Sequence, residues 1–415
     1  MKKVMRKIAP LGMLLLLATS SQAQRHEILS DRIASLQVMA EDRWMDMPVA
    51  ELGESIYIEF DDLTHEYTRY TYKIEHCEAD WTTSDELFSS DYIQGFADGN
   101  VIDDNIESLN TYQLYTHYAL TIPNDKCRLK MSGNYRLTVF DENNDETPVF
   151  TACFMLVEPQ MGVSLGYTTN TDIDINNSHQ QVEMSLSYGN LTVTNPTEQI
   201  KTVVMQNGRW DNARINAKPQ YVKTDGLRWH HCRDYIFDGG NEYRKFEMLD
   251  LTHPTMGIDH IDWDGQMYHV YPMLAEPRPN YVYDEDANGA FLIRNSDNIE
   301  IENTCDYAWV HFQLKCPQRV NGDIYVNGNW TNDRFLPEYR MEYNEETKLY
   351  ETVVKLKQGY YNYQYLLADA QGALKTVPTE GNFFQTENSY QALVYYKGVG
   401  ERADRLVGYA VISGN

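Results

Sequence analysis

The chain has 415 residues, 31 of them tyrosine, and a formal net charge of −26. That length exceeds one ordinary core and calls for roughly two to four domains. An acidic surface field repels nucleic acid and anionic lipid headgroups, which leaves a protein or a basic surface as partner, although excess carboxylates also simply keep an exported protein soluble.

Residues 1–23 read as a secretory signal peptide. Lys2, Lys3, Arg6 and Lys7 precede an apolar run from Leu11 to Ala18, and Ser21 and Ala23 suit cleavage before Gln24. The run is far shorter than the roughly 20 residues a spanning helix needs. No later stretch is long and apolar enough either, so direct membrane insertion is not expected. The first cysteine is Cys77, too far along for a lipid anchor.

From residue 24 onward the pattern is strand grammar: β-branched and aromatic residues at alternate positions, interrupted by Asn, Asp and Gly clusters. A first β-sandwich over 24–159 contains Ser55–Phe60, Tyr67–Ile74 and Tyr135–Phe140, with Ser132-Gly133-Asn134 as a turn, and closes where Phe154–Glu158 runs into Pro159. A second β-rich domain is expected over 160–299, through Gln181–Leu186, Leu191–Thr194 and Lys201–Met205. Three prolines within 272–279 argue there for a stiff extended linker. A C-terminal β-sandwich over 300–415 carries Trp309–Leu314, Gly322–Asn327, Tyr350–Leu356 and Tyr360–Leu367. No window keeps a helical apolar period, so the expected fold is all-β, three tandem immunoglobulin-like sandwiches with little helix.

Six cysteines are too few for a disulfide scaffold. Cys305 and Cys316 flank one apparent strand, whose extended length holds them far beyond bridging distance, so unpaired buried thiols are expected for both. His230-His231-Cys232 could supply metal ligands, but neighbours on a strand face opposite ways and no second cluster accompanies them. Asp259–Asp264 holds three carboxylates and a histidine without the glycine and glutamate of a calcium loop, and reads as an acidic turn. No nucleophile elbow, phosphate loop or dinucleotide fingerprint occurs. No catalytic residue, metal ligand or cofactor site is therefore assigned, and the chain is read as a non-enzyme.

One stretch suggests a ligand. Asp323–Asp333, with Trp330 and Asn332, followed by the tyrosine-rich Leu356–Tyr365, is similar to starch- or glycogen-binding sandwich modules. In that alternative Trp330 stacks a sugar ring and Asn332 hydrogen-bonds it, making the chain a periplasmic glycan-binding protein. A tryptophan in a turn also commonly caps a core.

More particular are His76-Cys77-Glu78-Ala79-Asp80-Trp81, Tyr92–Phe96, Asn110–Tyr118 and Ser132–Tyr135. With them go Asn207–Asn212, Tyr283–Gly289, Glu380–Asn388 and Gly400–Leu406. In this order and spacing the chain resembles, over nearly its whole mature length, the type IX secretion system plug protein family of Bacteroidetes-type bacteria. Ala403 departs from it, standing where an aromatic is expected. The resemblance implies a non-catalytic periplasmic protein at the inner face of the outer membrane. Its partner is the β-barrel translocon, whose periplasmic opening it occludes. Interface cores favour aromatics, so Tyr92, Phe96, Tyr112, Tyr115 and Tyr118 are the candidates for contact with the barrel rim. The competing reading packs His76, Trp81 and His117 inside the first sandwich.

Overall fold

A computed structural model describes residues 26–144 and 147–414, so the signal-peptide segment lies outside the described residues. The chain is all-β. Its only α-helices among the described residues are the single turns Ser89–Tyr92, Pro196–Gln199 and Ile301–Thr304.

The first unit is a sandwich. One sheet runs Glu27–Ile28, Thr147–Val157, Gly133–Asp141, Tyr70–Cys77 and Asn100–Val101, with Val49–Glu51 parallel to Thr147–Val157. The other runs Ile33–Ala40, Ile56–Asp62, Thr116–Ile122 and Asp104–Glu107. Alternation decides which side chains face inward: Ile56, Ile58 and Phe60 are wholly buried along one strand, and Tyr135, Leu137 and Val139 along another. Phe60 stacks on Tyr118 at 5.2 Å and meets Phe150 edge-on at 4.7 Å, joining the two sheets through rings.

Strand pairing divides the remainder differently from the boundaries read in the sequence. The second unit has one sheet built on Gly162–Thr168, His179–Ser187 and Gly226–Trp229. Its other sheet runs Arg214–Ile215, Ile200–Gln206, Ser389–Tyr396 and Arg405–Ser413, so its last two strands come from the far end of the chain. The third unit is inserted between these halves. Its ten-stranded sheet starts with Arg244–Met248, which pairs with Gly359–Ala368, and ends with Tyr268–Pro272 and Ile258–Trp263. A contiguous domain over 300–415 is thus corrected, and so is a boundary at 299/300. The reason is that Ser389–Tyr396 is buried at every position. A strand covered on both faces has no alternation to show which sheet it joins.

The proline-rich stretch 272–279 also differs from expectation. It is extended but does not link units. Ala275 is wholly buried and bonds the backbone of Gln313 and Lys315, so the segment lies along the third unit as an added rung.

Leu393→Ala, in the strand contributed from the C-terminal end, is expected to destabilise the chain by about 2–5 kcal/mol, the usual cost of a leucine cavity, as read by urea unfolding. A chain ending after residue 380 loses two strands of the second unit and is expected to be rapidly degraded in limited proteolysis where the full chain resists.

Candidate interaction surface

The five aromatic candidates separate by burial. Tyr92 is 8 % exposed and Tyr118 wholly buried; both belong to the first core, where the Tyr118 hydroxyl accepts from Thr68 N at 2.7 Å and donates to Thr68 O at 3.0 Å. Tyr115 is also wholly buried and donates to the Cys305 carbonyl at 2.8 Å, across the seam with the third unit. Phe96 and Tyr112 alone reach the surface, at 71 % and 59 % exposure.

That seam is built around a buried charge pair. Asp61 is the penultimate residue of the strand Ile56–Asp62 and Lys357 ends Leu349–Lys357, and the lysine ammonium lies 2.6 Å from Asp61 Oδ2 with both side chains almost fully covered. The Tyr307 hydroxyl donates to the same oxygen at 2.6 Å, and His117 Nδ1 donates to Oδ1 at 2.8 Å. The ammonium also sits 4.0 Å over the Tyr115 ring. Burial alone would raise the Asp61 carboxyl, but Lys357 and His117 more than offset it, and the group is held below its usual value. Beside it the Asp306 carboxylate accepts the backbone N–H groups of Tyr112 at 2.6 Å and Gln113 at 3.0 Å.

The seam between first and second units uses the segments that carried the family resemblance. The His76 ring bridges Ser84 Oγ at 2.9 Å and the Ser132 carbonyl at 3.2 Å. A Cβ at Gly133, whose φ is +144°, would fall 2.2 Å from that ring, so the turn needs glycine. Asn134 then accepts the Tyr395 hydroxyl at 2.8 Å. Asp404 accepts Ala79 N at 3.0 Å and pairs with Lys201 at 2.6 Å. Trp81 is buried not inside the first sandwich but edge-on to Trp210 of the second unit, at 5.8 Å. Ala403, where an aromatic is expected, is itself buried beside Asp404. Between second and third units, Asp333 accepts Trp210 N at 3.4 Å, and on the stretch by which the chain leaves the third unit Glu380 takes both Arg244 at 2.8 Å and Arg278 at 2.5 Å.

The glycan candidates are not presented to solvent together. Trp330 is 8 % exposed, donates Nε1–H to the Asn362 carbonyl at 3.0 Å, and stacks on Phe312 at 5.7 Å. Its ring faces are taken up by the third core. Asn332 holds a left-handed position (φ +54°) that ends the short turn Asn329–Thr331.

His230 and His231 lie ring to ring at 4.2 Å because His231 adopts φ +57°, but each pairs with a separate carboxylate, Glu183 and Asp172. Cys305 and Cys316 are buried thiols without a disulfide, at the two ends of Tyr307–Lys315. The acidic stretch 259–264 is corrected from a turn to the edge strand Ile258–Trp263, followed by the turn at Asp264. Its Trp263, missed in the sequence, forms with Tyr112 and Tyr268 a three-ring cluster at the surface of the seam, with spacings of 4.5, 5.5 and 4.7 Å. Next to it a groove of about 510 Å³ is lined by Tyr112, Tyr268, Asp250, Asp297 and Glu300, with no lysine or arginine. Asp61, Lys357 and Tyr307 were missed as well. The only signal for Asp61 and Lys357 was a charged residue at or next to the last position of a strand, and Tyr307, which opens Tyr307–Lys315, gave none.

These features define a class: an all-β body of three units joined through buried polar seams. Residues 33–158 match the model of the type 9 secretion system plug protein 1st domain. A crystal structure of a hypothetical protein from Parabacteroides merdae superposes with a TM-score of 0.90 at 39 % identity, covering 94 % of this chain and 99 % of that one. Among curated proteins nothing matches. The chain belongs to one family with the Parabacteroides protein, and its first unit carries the plug-protein first domain.

Lys357→Met leaves Asp61 buried and unpaired and is expected to destabilise by about 3–5 kcal/mol, whereas adding Asp61→Asn recovers most of that loss; denaturant melts of the double-mutant cycle measure both. Because the folded carboxyl is lowered, its contribution is present above about pH 4 and is lost as pH falls through the lowered value. The wild-type chain is therefore expected to lose more stability on acidification below pH 4 than the double variant.

Proposed function

We propose that the chain is a non-catalytic periplasmic plug that occludes the periplasmic opening of the outer-membrane β-barrel translocon of the type IX secretion system. The observation that carries this reading is the match of residues 33–158 to the plug-protein first domain. The construction supports it. Occlusion is steric: it needs a folded body large enough to fill an opening, rigid enough not to be threaded, and held by an interface that can release. Three β units with a buried ionic seam between the first and third and an aromatic seam between the first and second supply the first two requirements. The exposed rings of Phe96, Tyr112 and Trp263 supply amphipathic contact area on a chain whose net charge is −26.

The glycan-binding alternative loses its physical basis, since the ring that was to stack a sugar is packed in a core. Titration with maltooligosaccharides is expected to give no heat of binding.

Affinity isolation of the tagged chain from detergent-solubilised envelopes of a bacterium that secretes through this system is expected to recover a very large outer-membrane barrel. Cross-links are expected on the exposed loop carrying Phe96 or on the one carrying Tyr112, which lie toward opposite ends of Thr116–Ile122. Recovery of the chain without any such barrel overturns the reading.

A further inference from the structure

The strand Ile258–Trp263 ends the ten-stranded sheet of the third unit. It pairs with Tyr268–Pro272 on one side and, among the described residues, with no strand on the other. An unpaired edge presents a row of N–H and C=O groups ready to accept another strand. Here the two sides of the strand differ. His260 and Asp262 stand opposite Tyr271 and His269, and both are exposed. Ile261 packs against the core, and Trp263, opposite Tyr268 and 43 % exposed, touches the Tyr112 ring of the first unit.

We propose that this edge receives an extended basic segment of another protein as an additional β-strand. Lysine or arginine side chains of that segment meet Asp262 and its neighbours Asp259 and Asp264, and alternate apolar side chains meet Ile261 and Trp263.

Three features set the partner's chemistry. Main-chain pairing is indifferent to sequence, so specificity comes from the alternating side chains. The carboxylates select by sign: like charges brought opposite one another destabilise a strand pair, which turns away a second copy of this edge, while a basic strand gains at every such position. The net charge of −26 steers a basic segment toward the body from a distance. Trp263 and Tyr112 provide the rigid ring surface on which interface energy concentrates. The inference concerns the edge alone and stands whether or not the body occludes a channel.

The test uses the full chain and two capped heptapeptides, one alternating lysine with valine and one alternating glutamate with valine, with backbone hydrogen exchange read by mass spectrometry. The lysine peptide is expected to slow exchange saturably over 259–263. The glutamate peptide should need at least about tenfold more, and the lysine effect should weaken from ~50 to ~500 mM salt as the charges are screened. Asp259→Asn with Asp262→Asn, both at exposed positions, should reduce the lysine peptide's affinity severalfold without altering the thermal melt. Three results overturn the proposal: no protection of 259–263 by the lysine peptide, equal protection by both peptides, or protection that appears without peptide as protein concentration rises, which would assign the edge to a second copy. The comparison of the two peptides on the wild-type chain decides the matter even where the variant fails to fold.

Discussion

The arrangement of the molecule depends on one buried charge. Asp61 and Lys357 stand 296 residues apart in the chain and 2.6 Å apart in space. Removing two ions from water costs several kcal/mol each, and only close geometry with every remaining lone pair occupied returns it. Tyr307 and His117 occupy those positions on Asp61, and Tyr115 covers the ammonium. Tyr307 comes from the third unit and His117 from the first, so the carboxylate is satisfied only when the two are docked in this register. A purely apolar seam tolerates sliding and repacking; a buried ion pair with directed hydrogen bonds does not. The pair therefore acts as a register pin.

This explains why strand content was easy to read and assembly was not. Alternation in Ile56–Asp62 or Gly133–Asp141 follows from one covered and one less covered face, and period two is visible in the residues themselves. The pairing of Ile200–Gln206 with Ser389–Tyr396 has no such trace, because both strands are covered on nearly every side chain. Partner choice between covered strands is fixed by packing across long separations, which a single sequence does not display. The inserted third unit follows from that choice, and so does the displacement of the proline-rich stretch from a linker to a rung along the sheet.

The candidate site was legible in part for a related reason. Aromatic residues at alternate positions mark strands whether they face a core, a seam or solvent, and sequence alone does not tell the three apart. Tyr112 faces solvent, Tyr115 a seam and Tyr118 a core, three fates within seven residues of one stretch. Trp330 shows the same ambiguity: its turn is real, but the ring folds back over Phe312 where sugar stacking would need it turned outward. Trp263 passed unnoticed because the carboxylates around it made a turn the simpler reading.

The segments that carried the resemblance acquire a physical meaning once the seams are seen. Glu78, Ala79 and Trp81 in one, Asn134 in another, Trp210 in a third and Asp404 in a fourth all meet between the first and second units, through Asp404 hydrogen bonds, the Tyr395 bridge and the Trp81–Trp210 edge contact. In the proposed plugging role there are no reacting atoms to hold in place. What that role would require the sequence to specify most narrowly is the relative placement of its parts, because a hinge opening at a seam would admit a passing chain as surely as loss of the body. Interfaces between domains of one chain ordinarily permit relative motion unless they are large and apolar. Here the seam between the first and second units holds a buried apolar cluster that includes Val49, Trp81, Met155, Trp210 and Leu393, and directed polar bonds at Asp404 and Asn134 fix its register; in the proposed role, release would then fall to outer contacts such as the exposed rings of Tyr112, Trp263 and Phe96.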